Sequence, residues 1–289
     1  MHSRKHPSPP FPAQPIRPPG EEAEMDPAPQ YEAPQYRAAD KLTGKRAFVT
    51  GGDSGIGRAV AVLFAREGAD VAFTYLPEEQ RDADRTREEV ERHGRRCVPI
   101  AGDLCDPAFS SRAVETAVEQ LGGLDIVVNN AAYQRHLGSF EEVDPEQWDR
   151  TFKTNVYAYY YVVRAALPHL SAGSSIIQTG SVVGLEGAGE LIDYASTKGA
   201  IHAFTKSLAQ SLVGRGIRVN CVAPGPVWTP LNPAERSEED TRTFGESVPM
   251  HRPAQPEEIA PAYVYFASEA DSSYVSGEVL ALWGGKTHG

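Results

Sequence analysis

From residue 44 onward the chain alternates short apolar runs with longer amphipathic stretches. The runs are RAFVT (46–50), DVAFTY (70–75), RCVPIAG (96–102), LDIVVNN (124–130), SSIIQTG (174–180), IRVNCVA (217–223) and GEVLALWG (277–284). They are compact, β-branched and continuously apolar, the pattern of strands covered on both faces. Helical periodicity fills 55–67, 78–93, 107–121, 145–170, 193–213 and 256–268, which supplies the crossovers parallel strands need. The prediction is an α/β fold: one doubly wound sheet of about seven parallel strands with helices on both faces, spanning 41–289. Two segments fall outside that pattern. Residues 1–40 carry ten prolines and no apolar signal region, which predicts an arm that is disordered or lies extended on a neighbour. Residues 226–250, PVWTPLNPAERSEEDTRTFGESVPM, are too rich in Pro, Glu and Ser for core and predict a mobile flap over a site.

Composition narrows the classes. With 39 acidic against 28 basic residues, a formal charge of −11, the chain lacks the cationic surface that nucleic acid requires. Cys97, Cys105 and Cys221 form no C-x-x-C pair, so neither a disulfide framework nor a zinc site is expected, no metal is expected, and a reducing, cytoplasmic compartment fits. The most hydrophobic stretch, AYYYVVRAAL (158–167), contains Arg164, and no run approaches the ~18 apolar residues of a membrane span.

Candidate chemistry begins at TGGDSGIGRAV (50–60). Gly51, Gly55 and Gly57 follow the first strand and open a helix near Ile56. Such a junction lets the chain reverse, lets backbone approach a ligand and offers helix N–H groups to a pyrophosphate, with Asp53 and Ser54 able to hold the turn; the alternative is a purely structural turn. GGKT (284–287) is no P-loop, because residue 280 is leucine and no helix can follow. GESVP (245–249) begins a hydrolase elbow but ends in proline.

The second signal is DYASTKGAIHAFTKSLA, in which Tyr194 and Lys198 lie one turn apart on one helix face. Ser181 stands at a carboxyl-terminal strand edge in TGS (179–181), where open α/β sheets bind ligands. NNAA (129–132) ends another strand, and TNV (154–156) lies in the next helix. Together these motifs resemble the short-chain dehydrogenase/reductase family over about residues 43–285. TGxxxGxG matches Thr50–Gly57, and NNAG matches Asn129–Ala132 with alanine for the last glycine. The catalytic Asn, Ser, Tyr and Lys match Asn155, Ser181, Tyr194 and Lys198. GGDSGIG, the YLPEE loop and the proline-rich arm further resemble the glucose/ribitol dehydrogenase-like group of aldehyde and polyol oxidoreductases.

That resemblance implies a single Rossmann-type domain and hydride transfer between NAD or NADP and a carbonyl or alcohol, with Tyr194 as general acid/base. On dielectric grounds, a lysine ammonium ~4 Å from the phenol would favour the phenolate by about 4 kcal/mol, roughly three pKa units. The family pattern adds that Lys198 bonds the nicotinamide ribose, Ser181 positions the substrate oxygen and Asn155 anchors a proton-relaying water. It assigns the cofactor to Gly51, Asp53, Ser54, Gly55, Ile56, Gly57, Tyr75, Leu76, Asp103, Leu104, Asn130, Ala131, Ala132, Tyr194, Lys198, Pro224, Gly225, Val227 and Thr229. Asp103 takes the adenine-contacting position, with a helix N-cap as its other reading. Tyr75 stands where NAD users place a ribose-gripping aspartate, and Glu78 and Glu79 would repel a 2′-phosphate unless Arg81 folds over, so NAD against NADP stays open. Substrate contacts are expected from Gln134, Arg135, His136, Val183, Leu185, Glu186, Trp228, Leu231, Phe244 and His251, the last of these more readily a surface or hinge residue. A homotetramer is expected from resemblance, with YVSGEVLALWGG near an interface. The competing classes are a dinucleotide-sensing regulator on the same scaffold and an enoyl reductase or epimerase. Retention of Ser181, Tyr194 and Lys198 argues against the first, and the thirteen-residue Ser181–Tyr194 spacing against the second.

Overall fold

Every apolar run becomes a strand. In the computed structural model, which describes residues 6–14 and 16–287, these are β1 (Arg46–Thr50), β2 (Asp70–Tyr75), β3 (Cys97–Ala101), β4 (Ile126–Asn129), β5 (Ser175–Thr179), β6 (Arg218–Pro224) and β7 (Val279–Leu282). They form one parallel sheet in the order β3-β2-β1-β4-β5-β6-β7. Phe48 of β1 pairs with Ala72 of β2 on one side and Val127 of β4 on the other. Strand order reverses between β1 and β4, which opens a crevice at their carboxyl ends.

The helices are α1 (Gly55–Arg66), α2 (Gln80–Arg92), α3 (Pro107–Leu121), α4 (Pro145–Phe152), α5 (Ala158–Ala166), α6 (Val183–Glu186), α7 (Ile192–Leu212), α8 (Glu238–Arg242), α9 (Pro256–Ala267) and α10 (Glu269–Ser272). Alternate strand residues feed two cores. Ala47, Val49, Val71 and Phe73 pack with Leu63 of α1 and Tyr263 of α9. Phe48, Ala72, Val127 and Val219 pack with Val114 of α3, Val162 of α5 and Leu212 of α7. The period of two along each strand thus serves both faces.

The expected single helix over 145–170 is interrupted. A π-helical turn, Lys153–Tyr157, separates α4 from α5 and contains Asn155. Its carboxamide oxygen accepts from the Tyr133 N–H, and its Nδ2 donates to the Tyr133 carbonyl, both at 2.8 Å. This long-range pairing accompanies the extra residue in the turn.

Among its described residues the proline-rich arm is irregular apart from a 3-10 turn at Glu22–Glu24, and these lie across their own chain. Phe11, Ile16 and Met25 bury themselves with Trp228, Ala234 and Phe244. The Phe11 and Trp228 rings stack at 4.0 Å, and the Trp228 indole N–H donates to the Pro27 carbonyl at 2.7 Å. Tyr31 and Ala33 join the α1/α9 core. The expectation that 226–250 contributes nothing to a core is therefore corrected: Trp228 is wholly buried, because the arm brings the apolar surface that this segment lacks.

Candidate active site

The carboxyl ends of the strands converge on a cleft of about 2130 Å³. Gly51, Asp53, Ser54, Gly55 and Ile56 border it from the first crossover. Tyr75 and Leu76 border it from β2, Asp103 and Leu104 from β3, and Asn130, Ala131 and Ala132 from β4. Ser181, Tyr194 and Lys198 line its other end, with Pro224, Gly225, Val227 and Thr229 beyond β6. Of the assigned residues only Gly57 and Asn155 have no face on it. Gly57 lies beneath the turn, where an added Cβ would come 1.8 Å from the Gly51 carbonyl oxygen. Asn155 is fully buried behind Tyr133 and also donates to Thr197 Oγ1 at 3.0 Å.

Gly51 and Gly55 hold φ values of +60° and +51°, open to glycine and strained for residues with a Cβ. Thr50 Oγ1 accepts from the N–H groups of Asn130 (2.8 Å) and Ala131 (3.1 Å), while Asn130 Nδ2 donates to the carbonyls of Thr50 and Gly51. The β4 end thus braces the glycine turn. Ser54 is the extended N-cap of α1 but makes no side-chain cap bond. Asp53 is buried, its carboxyl bonding its own N–H and Ser54 while its Oδ2 has no hydrogen-bond partner among the described residues, and Thr50 and Asn130 brace the turn beside it. A buried residue from the arm, Glu22, also enters: its carboxylate accepts from the Gly55 N–H at 2.6 Å and pairs with Arg58. Nothing in the local pattern around Glu22 signals that contact.

At that end α7 presents Tyr194 and Lys198, which are 9% and 1% exposed. Lys198 Nζ donates to the Thr179 carbonyl at 2.8 Å and sits 5.3 Å from the Tyr194 ring centre and 5.8 Å from that of Tyr159. The Ser181 hydroxyl donates to the Pro224 carbonyl at 3.4 Å and accepts from the Val183 N–H at 3.3 Å. Burial raises the Tyr194 phenol above its ordinary range; the Ser181 hydrogen bond opposes this and Glu235 adds to it. Burial also lowers Lys198 to about 8. The expected depression of the phenol by an adjacent ammonium is thus corrected. Lys198 is held on a backbone carbonyl and faces the ring, and desolvation outweighs attraction.

On the substrate side, Gln134, Arg135, His136, Val183, Glu186, Leu231 and Phe244 border the cleft. Three expected contacts do not. Leu185 is 42% exposed, Trp228 lies under Phe11, and His251 is exposed with a φ of +53°. Sequence reasoning missed Glu235, whose carboxylate accepts from Gln134 Nε2 (2.8 Å) and the His136 N–H (2.7 Å) and pairs with His136 Nδ1 (2.6 Å). It ties the flap to the loop after β4.

At the end of β2 the cleft is bordered by Asp53, Glu78 and Glu79 beside Ser54, Tyr75 and Leu76. Burial, then the neighbouring Asp53, push the Glu79 carboxyl above the usual carboxylate range, and burial pushes Asp53 up as well. Arg81 borders a separate, smaller cavity. Asp103 accepts from the Cys105 N–H at 2.8 Å, and the N-cap of α3 is Asp106. A glycine cradle at a helix N-terminus, with an unpaired buried carboxylate oxygen beside it, fits a ligand that brings both phosphate and hydroxyl groups.

Sheet order, glycine turn and the Ser181–Tyr194–Lys198 cluster define a dinucleotide-dependent oxidoreductase, and the chain belongs to the short-chain dehydrogenase/reductase family. A family profile described as Enoyl-(Acyl carrier protein) reductase matches residues 51–287. The chain is 52% identical to General stress protein 39 of Bacillus subtilis over 93% of each chain. It is 48% identical to the Glucose and ribitol dehydrogenase of Daucus carota, covering 92% of this chain and 93% of that one. Among solved structures, a short-chain dehydrogenase from Burkholderia cenocepacia in complex with NADP matches with a TM-score of 0.78 and 35% identity, over 85% of this chain and 98% of that one. The protein is an NAD(P)-dependent oxidoreductase of this family. Among the described residues, no helix is long and apolar enough to cross a membrane, and no three potential ligands cluster as a metal site.

Proposed function

We propose that the protein interconverts a small polar carbonyl compound, an aldehyde or sugar, and its alcohol, with Tyr194 as general acid/base. The observation that carries this reading is that Ser181, Tyr194 and Lys198 border the same end of the cleft, with the Lys198 ammonium 5.3 Å from the centre of the Tyr194 ring. When bound at the glycine turn, the nicotinamide cofactor supplies or accepts hydride. Tyr194, whose phenol burial pushes up, gives its proton to the substrate oxygen in reduction. Ser181 donates to that oxygen and holds it beside the phenol. Lys198 presents its ammonium to the ring and to the cofactor ribose. Asn155 acts as a positioning residue through Tyr133 and Thr197, which donates to the Tyr194 carbonyl at 2.7 Å. The polar flap contacts, and the name of the carrot relative, support a hydroxylated substrate.

The acidic β2 end supports NAD(H) over NADP(H), because Asp53, Glu78 and Glu79 offer carboxyl groups to ribose hydroxyls there and no cation to a 2′-phosphate. The arm over residues 1–40 packs onto one catalytic domain over 41–289, whose flap moves to admit substrate. Exposed Trp148, Tyr157 and Tyr160 on the α4–α5 face support a homotetramer, and three free cysteines support a cytoplasmic setting.

The test is a panel of aldehydes, ketones and polyols followed at the absorbance of reduced nicotinamide, with each cofactor. Turnover of a polar aldehyde or polyol, faster with NAD(H), is expected. Cofactor binding with no turnover across the panel would instead favour a dinucleotide-sensing regulator.

A further inference from the structure

The arm reaches the glycine turn through Glu22, which is 3% exposed. Its Oε2 accepts from the Gly55 N–H at 2.6 Å, its Oε1 pairs with Arg58, and its own N–H donates to Asp82 Oδ2 at 2.6 Å. Arg58 Nε donates to the Asp53 carbonyl at 2.9 Å and to Thr86 Oγ1 at 3.0 Å, and its Nη2 to Asp82 Oδ1 at 3.1 Å. Asp53 and Gly55, either side of Ser54, are therefore both held by one buried ion pair. The Gly55 N–H is the first of α1, one of the donors a helix leaves without an internal partner.

Glu22 does not border the cleft. It faces the smaller cavity with Arg58, Asp82 and Arg85, on the other side of the turn. A second contact ties the same stretch of arm to the flap. Pro18, Pro19 and Gly20 border the main cleft, and a Cβ on Gly20 would come 3.0 Å from the Ala234 Cβ and from the Pro230 carbonyl oxygen.

We propose that Glu22 is a positioning residue of the dinucleotide site, holding the glycine turn from behind so that the N-terminal arm is a working part of cofactor binding. The inference rests on the reading that residues 51–57 hold the cofactor's pyrophosphate. A turn carrying four glycines, Gly51, Gly52, Gly55 and Gly57, loses much conformational freedom when a ligand fixes it. A strut that fixes it beforehand removes that cost from binding. The opposing effect is repulsion between the carboxylate and the phosphates. It is muted because Arg58 pairs with the carboxylate, and because burial pushes Glu22 up to about 7 so that it carries only part of its charge. Ordering of the turn therefore prevails over repulsion.

The test uses the full-length chain with Glu22→Ala, Glu22→Asp and Glu22→Gln, and with Glu24→Gln as an exposed control in the same 3-10 turn. Dissociation constants for NADH and NADPH are read by fluorescence titration, and the Gly55 amide is followed by hydrogen exchange. The Ala and Asp variants remove the acceptor or its reach. They are expected to raise the dissociation constant about tenfold and to speed exchange at Gly55. Gln keeps a neutral acceptor at full length, so about threefold or less is expected, and the control should match wild type. In the Ala and Asp variants the loss should appear in the KM for cofactor more than in kcat, while Glu24→Gln leaves both unchanged. The Asp variant retains a charge for Arg58 and carries the test if the Ala variant fails to fold. Wild-type or tighter affinity in folded Ala or Asp variants overturns the inference alone. Failure of the wild type to bind either dinucleotide overturns the underlying reading, and this inference with it.

Discussion

The Lys198 ammonium donates to the Thr179 carbonyl at 2.8 Å while lying 5.3 Å from the centre of the Tyr194 ring. One side chain of α7 is thereby fixed to the end of β5, and the phenol one turn earlier lies against it. Removing the lysine takes away the nearest cation and leaves a buried carbonyl without this donor. Lys198→Ala is expected to lower kcat by about a hundredfold or more and to weaken cofactor binding about tenfold. Steady-state kinetics beside a cofactor titration separates the two effects.

Glu235 bears on the phenol from the flap. Other titratable groups facing Tyr194 are Lys198 on its own helix, Tyr159 of α5 and Tyr263 of α9. Glu235 raises the phenol's pKa because a negative charge nearby disfavours the phenolate. Glu235→Gln removes that charge, so the Tyr194 pKa falls, and the pH at which alcohol oxidation becomes half-maximal should move down. The pH profile of kcat checks the direction. An unmoved profile would mean that Glu235 acts only as a tie to Gln134 and His136.

Gly57 tests the turn by volume alone. A methyl group there would lie 1.8 Å from the Gly51 carbonyl oxygen and 2.9 Å from Asn130 Nδ2. Backbone must shift to admit it, so Gly57→Ala should cost roughly 1–3 kcal/mol or more of stability. Cofactor affinity should fall by about a hundredfold or more as the cradle deforms. Denaturant unfolding and cofactor titration provide the two readings.

His202 sits behind Ser181, whose backbone N–H points to its Nε2 at 3.5 Å. Burial, then the Lys198 charge, lower His202 to about 4, against roughly 6.5 in an unfolded chain. Between those values the unfolded chain binds the proton and the folded one does not, so folding stability rises with pH across the window. Stability is complete above about 6.5 and falls by up to roughly 3 kcal/mol on acidification towards pH 4. His202→Gln should flatten that slope, as urea midpoints at a series of pH values would show.

What was legible in the sequence was what local pattern determines. The buried strands announced themselves because both of their faces need apolar side chains. Helix spacing puts Tyr194 and Lys198 on one face and a strand terminus puts Ser181 at the sheet edge, but it was the resemblance to the short-chain dehydrogenase/reductase family that made them a site. The π-helical turn at Asn155 was not, since it depends on Tyr133 across a loop. Glu22 and Glu235 look like solvated acids along the chain, and only folding brings Gly55 to one and His136 to the other. Trp228 was misplaced for the same reason: its cover, Phe11, lies more than two hundred residues away.

The central claim is that the Tyr194 hydroxyl moves the proton. Tyr194→Phe removes that oxygen and leaves the ring beside Lys198, so the most direct measurement pairs its turnover number with its cofactor dissociation constant. The account expects turnover to fall by about a thousandfold or more, with cofactor affinity within about twofold of wild type. A phenylalanine variant that keeps most of its turnover would contradict it.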